Sequence, residues 1–124
     1  LFQVFAHSKS SAETLKAARH FLTVPDLLNY WLTGVMKNEF SEATTTQLYN
    51  PVKKEWSEKL IKAAGFDPSI FKEVVLPGTI VGKLLPVEAE KLGAGPDVLV
   101  TAVACHDTAS AVAAVPVLEG DSHA

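Results

Sequence analysis

VLVTAVACHDTASAVAAVP, residues 98–116, decides the fold. It opens with a continuous apolar run from Val98 to Ala104 and passes through a polar knot, Cys105, His106, Asp107 and Thr108. It then continues as a train of small residues that includes Ala109, Ser110, Ala111, Ala113 and Ala114. An unbroken apolar run of this length is expected of a strand covered on both faces in a mostly parallel sheet. The small residues predict a helix that packs closely on its neighbours. The knot therefore sits at a strand-to-helix switch, and in open α/β sheets ligands bind outside the carboxyl ends of strands, where helix N-termini present free N–H groups.

The elements upstream fit an α/β chain. Ser10-Ser11-Ala12-Glu13 has capping-box spacing and predicts a helix to about His20. Val24, Leu27, Leu28, Trp31 and Leu32 fall on one helical face, with Pro25 in the first turn, Asp26 favourable to the helix dipole there, and Gly34 as the stop. Ser41 is expected to open a short helix in the Ser/Thr-rich stretch 39–46, and Gln47 to Asn50 a short strand before a turn at Pro51. Ser57, Leu60, Ile61 and Ala64 mark a helix closed by Gly65, and Asp67-Pro68 starts another turn or two. Pro77-Gly78 breaks the chain, Thr79 to Val81 is extended, and Pro86 to Leu92 is a helix ended by Gly93.

With 124 residues, 48% hydrophobic and 20% charged, the chain has the makings of one globular domain. A net charge of -3 without any Lys/Arg run leaves no footprint for nucleic acid. No apolar stretch approaches the length of a membrane span, and no secretory pattern is visible, so the expected location is the cytoplasm. One cysteine rules out an internal disulfide and a cysteine-based zinc cluster, which suits a reducing compartment. No other stretch is as strong a strand as 98–104, and a lone strand would leave its backbone groups without partners. Together with the start at Leu1 and the polar tail, residues 119–124, this leads to the expectation of a piece of a larger α/β protein.

Two readings of the knot stand side by side. Asp107 has the chemistry of a general base toward a substrate hydroxyl, with His106 hydrogen-bonding the same substrate. Asp is also a favoured helix cap, and His106 is equally read as a satisfied interior histidine. The two roles are compatible.

Other chemistries fit less well. Consecutive Cys105, His106 and Asp107 on an extended chain point to alternate faces, so they do not form a hydrolase triad easily. His7, His20 and His123 lack paired metal-ligand spacing. Gly78 to Leu84 fails as a phosphate loop, because Gly82-Lys83 lacks the following Ser/Thr and a correctly spaced first glycine. Tyr30, Trp31, Phe40, Tyr49, Trp56 and Phe66 are read mainly as packing residues, with Trp56 covering the helix that starts at Ser57.

The order of these pieces resembles the FGGY carbohydrate kinases, and within them the rhamnulokinase branch. The residues that carry the likeness are VPDLLNYWLTG (24–34), NEFSEATTTQLYNP (38–51), Trp56 with the helix to Gly65, LPGTIVGKLLP (76–86) and HDTASAVAAVP (106–116). The resemblance implies an α/β fold, part of an actin-like, ribonuclease-H-like domain with an incomplete sheet and flanking helices. It implies that residues 1–124 are the later portion of the N-terminal, sugar-binding domain, with the nucleotide-binding C-terminal domain absent. The implied reaction transfers the γ-phosphoryl of ATP, with Mg2+, to L-rhamnulose, giving L-rhamnulose 1-phosphate. By the same likeness Asp107 is the general base, His106 contacts the sugar and Thr108 helps shape the pocket. The partners implied are a ketose and the remainder of the kinase polypeptide, which holds most of the ATP and Mg2+ site. The family's N-terminal aspartate-glycine phosphate motif is missing, as is the C-terminal domain, so the isolated chain is expected to be inactive; separately, Cys105 stands where relatives usually carry Ser, Ala or Gly. The rival readings are an L-fuculose-type ketose kinase of the same family, a non-catalytic lobe that binds sugar or a partner, and, weakest, a cysteine hydrolase.

Overall fold

A computed structural model describes residues 2–10 and 12–116. The tail at 119–124 and His123 lie outside the described residues. Helices α1 (Phe2–Ser10) and α2 (Ala12–Ala17) lead into α3 (Val24–Thr33), which Gly34 closes in a left-handed conformation, φ 73°, donating its N–H to Tyr30 O. Then follow β1 (Asn38–Glu39), α4 (Phe40–Thr45), β2 (Tyr49–Asn50), β3 (Glu55–Trp56) and α5 (Glu58–Ala63). A 3-10 turn (Pro68–Ile70), β4 (Val74–Val75), β5 (Ile80–Lys83), α6 (Pro86–Leu92), β6 (Leu99–Thr101) and α7 (Asp107–Ala113) follow among the described residues.

Among the described residues the strands form three two-stranded sheets flanked by helices. β1 pairs with β4 in parallel, while β2 and β3 form an antiparallel hairpin whose turn is tied by Asn50 Oδ1, which accepts the N–H groups of Val52 and Lys53. β5 pairs with β6 antiparallel, with Gly82 opposite Val100. One apolar core gathers Leu48, Ile61, Ile70 and Phe71, with Phe21, Trp56 and Phe66 against it. A smaller one joins Val75, Val81 and Ala102, with Val35 beside it. Trp56 is not a cover for α5 alone. Its ring packs against Tyr49 and Phe71, and its indole N–H donates to Lys72 O at 2.7 Å.

The structure corrects several sequence expectations. The apolar run 98–104 is a strand only over Leu99–Thr101, it is antiparallel to β5, and Leu99 is 50% exposed. Apolar content reports only the capacity to be covered, not the direction of the partner strand. The small residues of α7 do not pack closely, for none of that helix is buried. The apolar stripe of α3 faces outward at Val24, Leu28 and Trp31, while Asp26 and Thr33 point in. Periodicity locates the helix, but the hydrogen bonds of Asp26 choose which face turns inward. Ser10 ends α1, its hydroxyl donating to Ala6 O, rather than opening the next helix, and α2 stops at Ala17. α1 itself was not read from the sequence. Glu39, not Ser41, caps α4. The helices at α5 and α6 and the turn at Asp67-Pro68 lie where the sequence puts them.

Candidate functional site

The polar knot is held from three sides. Just before it, Ala102 is buried in the smaller core, its N–H donating to Thr79 O at 2.8 Å and its carbonyl accepting from Gly78 N at 2.7 Å. The Pro77-Gly78-Thr79 turn thus clamps the chain as it leaves β6. Just after it, His106 is the N-cap of α7, and its carbonyl accepts the Ser110 N–H at 3.0 Å. Beneath it lies α4. The Cys105 N–H donates to Glu39 Oε2 at 3.3 Å, and the His106 N–H donates to Ser41 Oγ at 3.1 Å.

This arrangement puts the three sequence-selected residues on one lip. His106 is half-buried, whereas Asp107 and Thr108 are exposed, the Asp107 side chain to 97%. The His106 Nδ1 stands 3.5 Å from Asp107 Oδ1, and the same carboxylate oxygen accepts the Thr108 N–H at 2.6 Å and the Thr108 hydroxyl at 3.3 Å. Asp107 occupies the first helical position of α7, one residue inside the cap. The capping reading is therefore met only by the adjacent amide, and the second carboxylate oxygen faces outward with no protein donor recorded on it among the described residues. A carboxylate so placed can accept a proton from a hydroxyl brought to the lip.

Cys105 is unsuited to nucleophilic work. Burial, then the Glu39, Asp26 and Glu42 carboxylates, push its thiol up to about 11, and the Sγ–H is directed at Val103 O at 3.2 Å. A nucleophilic cysteine needs the opposite environment. The Glu42 carboxyl is raised too, chiefly by burial and further by Asp26, Glu39 and Asp107, with His106 opposing. Glu42 thus lies in the electrostatic field of the lip.

Of the residues that organise the knot, the sequence pointed to Asp26 and Ser41 only as helix-end residues and gave Glu39 no role of its own. Glu39 is 1% exposed, and its carboxylate accepts the N–H of Ser41 at 2.9 Å, the N–H of Glu42 at 3.2 Å, the Ser41 hydroxyl, and the Cys105 N–H. Asp26 is equally buried: Oδ1 accepts the Glu39 N–H at 2.9 Å, while Oδ2 accepts Asn38 Nδ2 at 2.8 Å and Thr23 Oγ1 at 2.7 Å. Asn38 Oδ1 in turn accepts the Lys72 N–H at 3.1 Å. The Thr23-x-x-Asp26 spacing of a capping box was a usable signal for Asp26. Glu39 left none, because a glutamate just before a Ser/Thr-rich helix resembles any solvated acid.

Among the described residues no group of three or more His, Cys, Asp or Glu could hold a metal ion, and no helix is long and apolar enough to cross a membrane. The glycine of the failed phosphate loop, Gly82, packs instead against Thr33 and Val35. What the knot presents is one exposed carboxylate, Asp107, beside half-buried His106.

Residues 7–114 match the N-terminal domain of the FGGY family of carbohydrate kinases, a match that begins well before the first motif at Val24. The chain is 41% identical over 116 residues to a rhamnulokinase of Halalkalibacterium halodurans and 40% identical over 116 residues to one of Oceanobacillus iheyensis. Each alignment covers 94% of this chain, and the chain spans only 24% of the length of these relatives. A carbohydrate kinase from Novosphingobium aromaticivorans superposes with a TM-score of 0.73 at 27% identity, over 89% of this chain and 23% of that one. The α/β fold of small sheets with flanking helices is accordingly the actin-like, ribonuclease-H-like fold that the sequence resemblance implied. With residues 7–114, most of this chain, matching the family's N-terminal domain, the chain belongs to the FGGY family of carbohydrate kinases.

Proposed function

We propose that this chain is the later portion of the sugar-binding domain of an ATP-dependent ketose kinase, and that the intact enzyme phosphorylates L-rhamnulose to L-rhamnulose 1-phosphate in the cytoplasm. The observation that carries the reading is the exposed Asp107 carboxylate beside His106 on a lip pinned from below by buried Glu39 and Ser41. Kinship with two rhamnulokinases at 40% identity or more supports the choice of sugar.

In this reading Asp107 is the general base. As the sugar hydroxyl oxygen bonds to the transferred phosphorus and the bond to the ADP oxygen breaks, the hydroxyl proton passes to the outward carboxylate oxygen of Asp107. His106 hydrogen-bonds a neighbouring sugar hydroxyl, and Thr108, tied to Asp107, limits the pocket beside it. Phosphoryl transfer asks a protein chiefly for alignment and charge stabilisation, and a carboxylate on a fixed backbone supplies alignment. MgATP is the second substrate, and in this reading the remainder of the kinase polypeptide supplies most of its site.

The test is ADP release by the enzyme with MgATP and L-rhamnulose, L-fuculose, D-xylulose or glycerol, for the wild type and for Asp107→Asn. Turnover of L-rhamnulose that falls about 100-fold or more in the variant is expected. Preference for L-fuculose shifts the assignment to the sister kinase. Sugar binding without turnover identifies a non-catalytic lobe, and full activity in the variant reduces Asp107 to a helix-end residue.

A further inference from the structure

We propose that Glu39, acting through Ser41, is a positioning residue that sets where His106 and Asp107 stand against the sugar. The inference rests on the kinase reading for its catalytic consequence, but its structural core is independent of that reading.

A glutamate that merely capped α4 would need only the amides of its own first turn. Asp67 does that for the 3-10 turn from an exposed position, accepting the Ser69 N–H at 2.9 Å. Glu39 is instead 1% exposed, and burying a carboxylate is costly unless its lone pairs are engaged. Its two oxygens divide the work. Oε1 accepts from α4 at Ser41 N. Oε2 gathers Glu42 N, the Ser41 hydroxyl and the Cys105 N–H, a donor 66 residues away. The Ser41 hydroxyl then extends the link by one bond, accepting the His106 N–H at 3.1 Å while donating to Glu39.

Two consecutive loop amides thus end on one buried Glu–Ser pair. The backbone of Glu39 is itself fixed, because its N–H donates to buried Asp26. A chain of hydrogen bonds, buried at Asp26, Glu39 and Ser41 and half-buried where it meets the loop, therefore runs from the start of α3 to the residue preceding Asp107. Asp107 has no burial of its own to hold it, so the position of its carboxylate follows from the backbone at Cys105 and His106.

The experiment uses the full-length enzyme and the variants Ser41→Ala, Ser41→Thr and Glu39→Gln. It reads amide hydrogen exchange at Cys105 and His106, the melting temperature, and kcat and KM for sugar and ATP. In Ser41→Ala the His106 amide loses its acceptor, and in Glu39→Gln the side-chain amide presents donors where donors already converge. Exchange at these two amides is expected to rise about tenfold or more in both variants. The kcat is expected to fall about 100-fold, with KM for ATP held within about twofold. Ser41→Thr keeps the hydroxyl and is expected to restore slow exchange and most of kcat. Unchanged exchange at Cys105 and His106 in both Ser41→Ala and Glu39→Gln overturns the proposal, as does a fall in melting temperature with kcat intact. Should the wild-type enzyme phosphorylate no sugar, the kinase reading fails alone, and exchange at the two amides still judges the coupling.

Discussion

Asn38 Nδ2 donates to Asp26 Oδ2 at 2.8 Å, and both residues are buried. That bond joins the first turn of α3 to the first residue of β1, and Asn38 Oδ1 carries the link on to Lys72, just ahead of β4. The two cores are apolar clusters of a few residues each, so the polar seam between α3, β1 and β4 does much of the work of fixing their relative places. A fully satisfied buried network specifies geometry in a way that apolar contact does not.

Replacing Asp26 with alanine strands the buried Glu39 N–H, leaves the Asn38 side-chain amide only its longer bond to Phe21 O, and frees the half-buried Thr23 hydroxyl. Each unsatisfied buried donor costs about 1–3 kcal/mol, and water entering the site recovers part of it, so Asp26→Ala is expected to lose about 3 kcal/mol. Asp26→Asn keeps one acceptor oxygen and should lose less. Urea unfolding checks this: the midpoint falls while the slope stays constant. A loss below about 1 kcal/mol for Asp26→Ala removes the seam from the account of stability.

The thiol of Cys105 is expected to react slowly. Burial and the carboxylates beneath it push it up to about 11, from an ordinary value of 9.0, so its thiolate fraction at pH 8 is about 100-fold below that of a free cysteine. Alkylation by iodoacetamide should be correspondingly slow at pH 8 and should climb steeply toward pH 11. Fast alkylation at neutral pH would return a reactive thiol to the site.

Glu42 yields a pH prediction with a definite sign. Burial, with the nearby carboxylates, raises its carboxyl above the ordinary 4.5, so the folded chain binds that proton more readily than the unfolded chain does. The stability from this group is therefore full below pH 4.5 and is lost as pH rises through the higher folded value. Glu42→Gln should gain under about 1 kcal/mol at pH 7, because the side chain is partly exposed and screened, and the gain should vanish in acid. Unfolding midpoints of the variant and the wild type across that range decide it; a gain that persists in acid points to packing rather than charge.

How much of this was legible in the sequence depends on whether a signal was local. Gly34, Ser57, Asp67 and Gly93 end or start elements through bonds within a few residues, and those boundaries could be read directly. The switch at Cys105 to Thr108 could also be read, because a change from apolar run to polar knot to small residues is contained in one stretch. The support beneath it could not. Glu39 meets Cys105 across 66 positions, and Asp26 meets Glu39 across 13, so neither leaves a periodic mark. Ser41 was noticed as a cap because serine favours that role, yet the longer glutamate two residues earlier reaches both the helix amides and the incoming loop. The outward stripe of α3 misled for a related reason: a hydrophobic face says what can be buried, and the contacts of Asp26 decide what is.

Gly82, which the sequence offered only as part of a failed phosphate loop, has a packing role that can be measured. A Cβ there would lie 3.3 Å from Thr33 Cβ and 3.3 Å from Val35 Cγ2. Thr33 is held in place, since its hydroxyl donates to Asn29 O at 2.7 Å and accepts the Val35 N–H at 3.1 Å. An alanine needs its neighbours to yield a few tenths of an ångström, while a valine drives further methyls into the same gap. Overpacking of this kind costs about 1–3 kcal/mol, so Gly82→Ala is expected near the low end and Gly82→Val near the high end. If steric crowding is the cause, adding Val35→Ala should recover part of the loss in Gly82→Ala, giving a coupling of about 0.5 kcal/mol or more in a double-mutant cycle. Strict additivity would mean that Gly82 acts through the backbone of β5, which pairs with β6 and so leads the chain into the lip that bears Asp107.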